Sequence, residues 1–192
     1  MRSCAGGSCR WDATLRRPGA AAGLDARRAW TSRRSSGGTM AYKIEIKTIE
    51  TQAMVSIRAT TRPEDIGATL ETILPEVWRH LQDLGMDPAG PPFTRYCEFE
   101  QDRVGLEAGF PVTTPLGSEG RIADGHLPGG KVAVTWHVGP FHRLREAYTA
   151  LEAWLREERI DPTGPPWEVY WTDPGTEPDP DKLRTEIFLP IA

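Results

Sequence analysis

A ten-residue run occurs twice in the chain. Asp87-Pro88-Ala89-Gly90-Pro91-Pro92-Phe93-Thr94-Arg95-Tyr96 returns as Asp161-Pro162-Thr163-Gly164-Pro165-Pro166-Trp167-Glu168-Val169-Tyr170. A second pair follows in the same order: Glu107-Ala108-Gly109-Phe110-Pro111-Val112 resembles Glu186-Ile187-Phe188-Leu189-Pro190-Ile191. An internal duplication forces one local fold to be built twice, so it restricts the architecture more than composition does. The halves run from about 42 to 112 and from about 130 to 191. Residues 113–129, with Pro115, Gly117, Ser118, Gly120, Gly125 and Pro128, read as the connection between them.

Each half has the same grammar. Val132, Val134, Trp136 and Val138 alternate with Ala133, Thr135 and His137, which marks a strand with two distinct faces. Gly139-Pro140 ends it. Phe141, Leu144, Tyr148, Leu151 and Leu155 then recur at helical spacing, with Trp154 beside them. A Pro/Gly turn and two more strands follow, near 167–172 and 183–189. In the first half the spacing predicts strands near 42–48 and 53–60 and a helix from Pro63 to Leu84. Its buried stripe is Ile66, Leu70, Ile73, Val77, Leu81 and Leu84. Pro63 suits the first helical turn, whereas Pro75 is expected to kink or split the helix. Strands near 93–99 and 104–110 complete this half. The expected fold is α+β: two tandem β-α-β-β repeats with antiparallel sheets and a central pocket between the halves.

Charge is distributed unevenly. Residues 1–39 hold eight Arg, no Lys and two Asp, a charge of +6, which leaves −10 on the rest of a chain whose net charge is −4. An acidic folded part argues against nucleic-acid binding. The first 39 residues show no apolar period, so they are expected to be a disordered or non-native extension, with Met40 as the working start. A transit peptide is the other reading, since the segment is Arg-rich and poor in acid. Residues 40–192 are expected to form one cytoplasmic domain, since no stretch reaches the roughly 20 apolar residues of a membrane span. The three cysteines give no disulfide framework, and no metal-ligand spacing, phosphate loop or nucleophile elbow appears. No cofactor or metal is expected.

The segment Trp167-Glu168-Val169-Tyr170-Trp171 carries the most chemistry. Period-two geometry places Trp167, Val169 and Trp171 on one face and Glu168 with Tyr170 on the other. The first face is expected to be core under the helix, and the second to present a carboxylate beside a phenol. The equivalent pair in the first half is Thr94 and Tyr96, so the tyrosine repeats and the carboxylate does not. A carboxylate among aromatic walls either attracts a lipophilic cation or, once desolvated, acts as a general acid or base. The plainer reading is a solvated strand glutamate. Trp136, Phe110 and Glu186 are further candidates for the pocket lining. For Trp136 the alternative is core packing. For Glu186, which has Glu107 as its equivalent, it is a structural ion pair, with Arg184 or with a neighbouring strand. Tyr148 and Trp154 are read as core.

These residues resemble a family. Trp136-His137-Val138-Gly139-Pro140-Phe141 with Leu144, Ala147-Tyr148, Leu151 and Trp154-Leu155 is similar to the second half of the GyrI-like small-molecule-binding domain, a duplicated SHS2 module. Trp167-Glu168-Val169-Tyr170 followed by Asp173-Pro174 resembles its Glu-x-Tyr strand. Thr185-Glu186-Ile187-Phe188-Leu189-Pro190-Ile191 resembles its closing strand. Phe141 departs from the pattern, because many relatives carry Tyr there.

The resemblance covers about residues 42–191. It implies an aromatic pocket with Glu168 inside it and Tyr170 beside it. It also implies a function among three classes. One is a module that binds hydrophobic, often cationic drugs or toxins, as in the effector domains of multidrug-responsive AraC- and MerR-type regulators. Another is a hydrolase of cyclopropane-containing alkylating natural products, with Glu168 and Tyr170 catalytic. A third is a modulator that contacts DNA gyrase. Residues 1–39 lack the periodic helices of a helix-turn-helix, so direct DNA binding is not expected.

Overall fold

The computed structural model describes residues 42–100 and 102–192. The expectations for residues 1–39 lie outside the described residues. The strands are β1 (Ile44–Ile49), β2 (Gln52–Thr61), β3 (Phe93–Phe99), β4 (Val104–Pro111), β5 (Ile122–Leu127), β6 (Gly130–Val138), β7 (Trp167–Tyr170) and β8 (Arg184–Pro190). The helices are α1 (Ile66–Asp83) and α2 (Leu144–Glu158). All eight strands join one antiparallel sheet in the order β1-β6-β8-β7-β3-β4-β2-β5.

This order reads the same from both edges when β2-α1-β3-β4 is matched to β6-α2-β7-β8. The duplicated ten-residue runs therefore lead into the two central strands. There Phe93 pairs with Val169, Thr94 with Glu168 and Arg95 with Trp167. The seam between the halves is a backbone ladder between the two copies of the repeated segment.

The outermost strands differ from expectation. β1 is expected from the sequence as the first strand of the first half but pairs with β6 of the second, Ile44 opposite Thr135. Residues 113–129 are more than a connection: they contain β5, which caps the opposite edge on β2, with Ile57 opposite Ile122. Ile122-Ala123-Asp124-Gly125-His126-Leu127 buries only its two ends, so it shows little apolar alternation. An edge strand can form on one hydrogen-bond ladder without it. α1 continues through Pro75 as one helix. Pro75 is exposed, so its ring sits on the side of the helix turned away from the sheet.

Both helices cover the same face. Ile73, Val77 and Leu81 of α1 pack with Val55, Ile57, Leu106 and Ala108, and Ala147, Leu151 and Leu155 of α2 pack with Ala133, Ile187 and Leu189. Each helix buries one apolar stripe and leaves its other side wet. The opposite face holds a third cluster of Met54, Phe93, Leu127, Val132, Val134 and Trp167, in which the Trp167 and Phe188 rings stack with centroids 5.2 Å apart. No helix among the described residues is long and apolar enough to cross a membrane.

Candidate functional site

The helix-covered face is the one that carries Glu168 and Tyr170, and this reverses the sequence expectation for β7. Trp167 and Val169 belong to the opposite cluster. The sequence pattern misleads because both faces of this sheet are apolar. The two tryptophans and the valine look more like a core than Glu168 and Tyr170 do, yet the side chains beneath α2 are the polar pair.

Period two places Thr94 and Tyr96 of β3 on this same face, with Thr94 directly opposite Glu168. Glu168 is 3% exposed, and its carboxyl is held by three phenols. Tyr96 Oη donates to Oε2 at 3.1 Å and Tyr170 Oη to the same oxygen at 2.8 Å. Tyr148 Oη, on α2, donates to Oε1 at 2.8 Å. The cluster spans the seam, with Tyr96 from the first half and the other three groups from the second. Phe141, in the 3-10 turn Phe141–Arg143 before α2, sets its ring edge-on to Tyr170 at 5.6 Å and remains 38% exposed. It is the outermost ring of the group.

Burial drives the electrostatics. Removal from water pushes the Glu168 carboxyl above the usual carboxylate range, while the bonds from Tyr170, Tyr148 and Tyr96 pull it back down. Burial, and then the charge of Glu168, push all three phenols well above their ordinary value. The phenols therefore remain protonated donors at any physiological pH. Among the described residues, no Lys, Arg or His forms an ion pair with Glu168. A desolvated carboxylate carrying three donors and no counter-ion can attract a cation, or can exchange a proton with a bound molecule.

The remaining candidates lie elsewhere. Phe110 is on the same face but packs against Trp78 of α1, with centroids 5.6 Å apart, inside the first-half core. Trp136 and Glu186 point to the opposite face, because Glu186 pairs across the sheet with both Trp136 and Val169. Glu186 is 5% exposed and accepts bonds from Lys47 Nζ at 3.3 Å and from Trp171 Nε1 at 3.1 Å. Trp136 lies between Trp171, at 5.8 Å, and the Arg184 guanidinium, at 4.7 Å. Glu107, the repeat equivalent of Glu186, accepts from Ser56 Oγ at 3.0 Å, from Arg58 Nε at 3.2 Å and from Arg95 Nη2. Both repeated glutamates are thus held by cations and a neutral donor, two arginines for Glu107 and Lys47 for Glu186, which is the structural alternative given for Glu186 with Lys47 rather than Arg184 as its partner.

Tyr148 is the group that sequence reasoning assigned to the core. Helical spacing places it correctly on the buried stripe but says nothing of its tip. A tyrosine on such a stripe brings a hydroxyl that needs a partner, and that was the available signal. A separate hollow of about 230 Å³ opens on the other face, walled by Ile49, Phe93, Leu127, Trp167, Val169 and Phe188. It is apolar and lies across the sheet from Glu168, so we place the candidate chemistry at the carboxylate cluster.

The fold is thus an eight-stranded antiparallel sheet with two helices on one face and a buried carboxylate among three phenols at its central seam. The chain belongs to the GyrI-like family: the model of the GyrI-like small molecule binding domain matches residues 42–192. The structure is similar to the C-terminal domain of EcmrR, with 23% identity and a TM-score of 0.69 over 80% of this chain and 99% of that one. It is also similar to EcmrR in its DNA complex, with 23% identity and a TM-score of 0.70 over 79% of this chain, and there it spans 58% of the regulator's length. A hydrolase from Listeria innocua shares the fold at 14% identity and a TM-score of 0.53, over 78% of this chain and 92% of that one. No curated protein matches the chain.

Proposed function

We propose that this GyrI-like domain binds hydrophobic cations, with Glu168 as counter-ion and Tyr96, Tyr148, Tyr170 and Phe141 as the surrounding aromatic groups. The observation that carries this reading is that Glu168, 3% exposed, has its carboxylate served by three phenols and paired with no described cation. Burying such a charge is costly, and a bound cation recovers part of that cost. Ring faces add about 0.5–2 kcal/mol per contact to a desolvated cation. The role suited to such binding is drug or toxin sensing, sequestration or resistance.

Titration calorimetry with a rhodamine ester, a lipophilic fluorescent cation, tests this reading. Glu168→Gln removes the charge and keeps the shape, so it should weaken the cation at least about tenfold and leave a neutral isostere unchanged. Equal affinities of wild type and variant for both molecules would remove Glu168 from the account.

One observation favours a second reading, hydrolysis of a cyclopropane-containing alkylating compound: Glu168 is raised by burial and touches phenols that stay protonated. In that chemistry Glu168 accepts a proton from water as the water oxygen bonds to a ring carbon. The ring C–C bond breaks, its electron pair moves onto the conjugated carbonyl, Tyr170 or Tyr96 supplies a proton there, and Glu168 returns its proton to that phenolate across their hydrogen bond. Fold likeness to a hydrolase from Listeria innocua is compatible with this reading. Mass spectrometry would detect the gain of one water, lost in Glu168→Gln.

A further inference from the structure

Two side-chain hydroxyls in the described interior meet no hydrogen-bond partner, those of Thr94 and Thr185. Both residues are fully buried. The other buried Ser and Thr hydroxyls are satisfied, Ser56 Oγ by Glu107 and Thr135 Oγ1 by the Lys43 carbonyl. Buried hydroxyls are usually met, so an unmet pair asks for an explanation.

Their place in the sheet supplies one. Thr94 is the cross-strand partner of Glu168 on one side of β7, and Thr185 is the partner of Tyr170 on the other. Antiparallel partners share a face, so both hydroxyls stand on the helix side and flank the Glu168–Tyr170 pair. The Thr94 hydroxyl lies close enough to the Tyr170 phenol to draw its titration down, yet outside hydrogen-bonding geometry. Glu168 itself has capacity left. A carboxylate offers about four acceptor positions. Tyr96 and Tyr170 occupy those of Oε2, while Oε1 holds Tyr148 and has one position open.

We infer that the ligand of this site is a protonated amine bearing a second hydrogen-bonding oxygen or nitrogen, whose N–H takes the open position on Oε1 and whose polar atom meets Thr94 or Thr185. This rests on the reading of Glu168 as counter-ion and narrows the class of cation. A quaternary ion supplies charge alone and leaves all three positions unmet. A site built to hydrogen-bond a group discriminates against analogues that lack it, because its buried polar atoms are then stranded.

The test uses the full chain and two probes titrated calorimetrically at pH 7: lidocaine, a protonated amine that also carries an amide, and benzyltriethylammonium, a quaternary cation with no hydrogen-bonding group. Wild type should bind lidocaine about tenfold more tightly than the quaternary ion. Thr94→Val and Thr185→Val should each weaken lidocaine about three- to tenfold and leave the quaternary ion unchanged. Both variants should melt at or above the wild-type temperature, since a methyl group replaces a hydroxyl with no partner. An unchanged lidocaine-to-quaternary ratio in the valine variants overturns this inference, and so does a marked fall in melting temperature, which would make the hydroxyls structural. If Glu168→Gln still weakens both probes in that case, the counter-ion reading stands. If neither probe responds to Glu168→Gln, or neither binds, the counter-ion reading falls with it.

Discussion

The two faces of the sheet handle buried glutamates in opposite ways. On the open face, Glu107 and Glu186 occupy equivalent positions of the duplication. Glu107 is bonded to two cations and a neutral donor, Arg58 and Arg95 with Ser56, and Glu186 to one of each, Lys47 with Trp171. On the helix-covered face, Glu168 has no acidic equivalent, because Thr94 stands in its place, and three phenols serve it without a cation. The duplicated charges are compensated and the unduplicated one is not. Where the repeat keeps its symmetry, the side chains maintain the fold. Where the symmetry breaks, the charge has no described cation beside it, and we propose that a ligand supplies one.

The largest effect expected from breaking this contrast is on stability at the compensated end. Glu107→Ala strands the nearly buried Arg95 guanidinium, so chemical denaturation should show a loss of about 3 kcal/mol. Glu168→Gln should behave oppositely, holding the unfolding free energy to within about 1 kcal/mol of wild type, because no cation is stranded and a phenol facing the amide nitrogen can accept from it instead of donating. A smaller effect is expected at the helix. Tyr148→Phe deletes one donor to Oε1 and should cost about 1 kcal/mol of cation affinity, measured by titration calorimetry.

The pH dependence sharpens the same contrast. Burial raises Glu168 above its ordinary value of 4.5. The folded state therefore binds this proton more tightly than the unfolded chain does. The group's contribution to stability is full below pH 4.5 and is lost as pH rises through the higher folded value. Cation affinity runs the other way: it needs the carboxylate, so it should fall on acidification before ordinary carboxylates titrate. Glu168→Gln should flatten that profile.

Much of this arrangement was legible in the sequence. The two periodicities indicated most strands and both helices, the Glu-x-Tyr strand drew attention to Glu168 and Tyr170, and its repeat equivalent to Tyr96. Local spacing could not tell which face of β7 the helices cover, since Trp167 and Val169 are as fit for burial as any helix contact. That inversion also misplaced Trp136 and Glu186, whose parity relative to Glu168 is set by the β6-β8-β7 register. The partners of β1 and β5 depend on long-range pairing that leaves no local trace. Tyr148 was placed on the right stripe, but its hydroxyl contact depends on how α2 seats over β7.

The most direct test of the central claim is a carbon-13 NMR titration of the Glu168 side-chain carboxyl, with and without a saturating lipophilic cation. In the free protein its pKa should lie above 4.5, and the bound cation should pull it down. A Glu168 titration that is unmoved by a cation bound to the domain would contradict the claim that this carboxylate is the counter-ion.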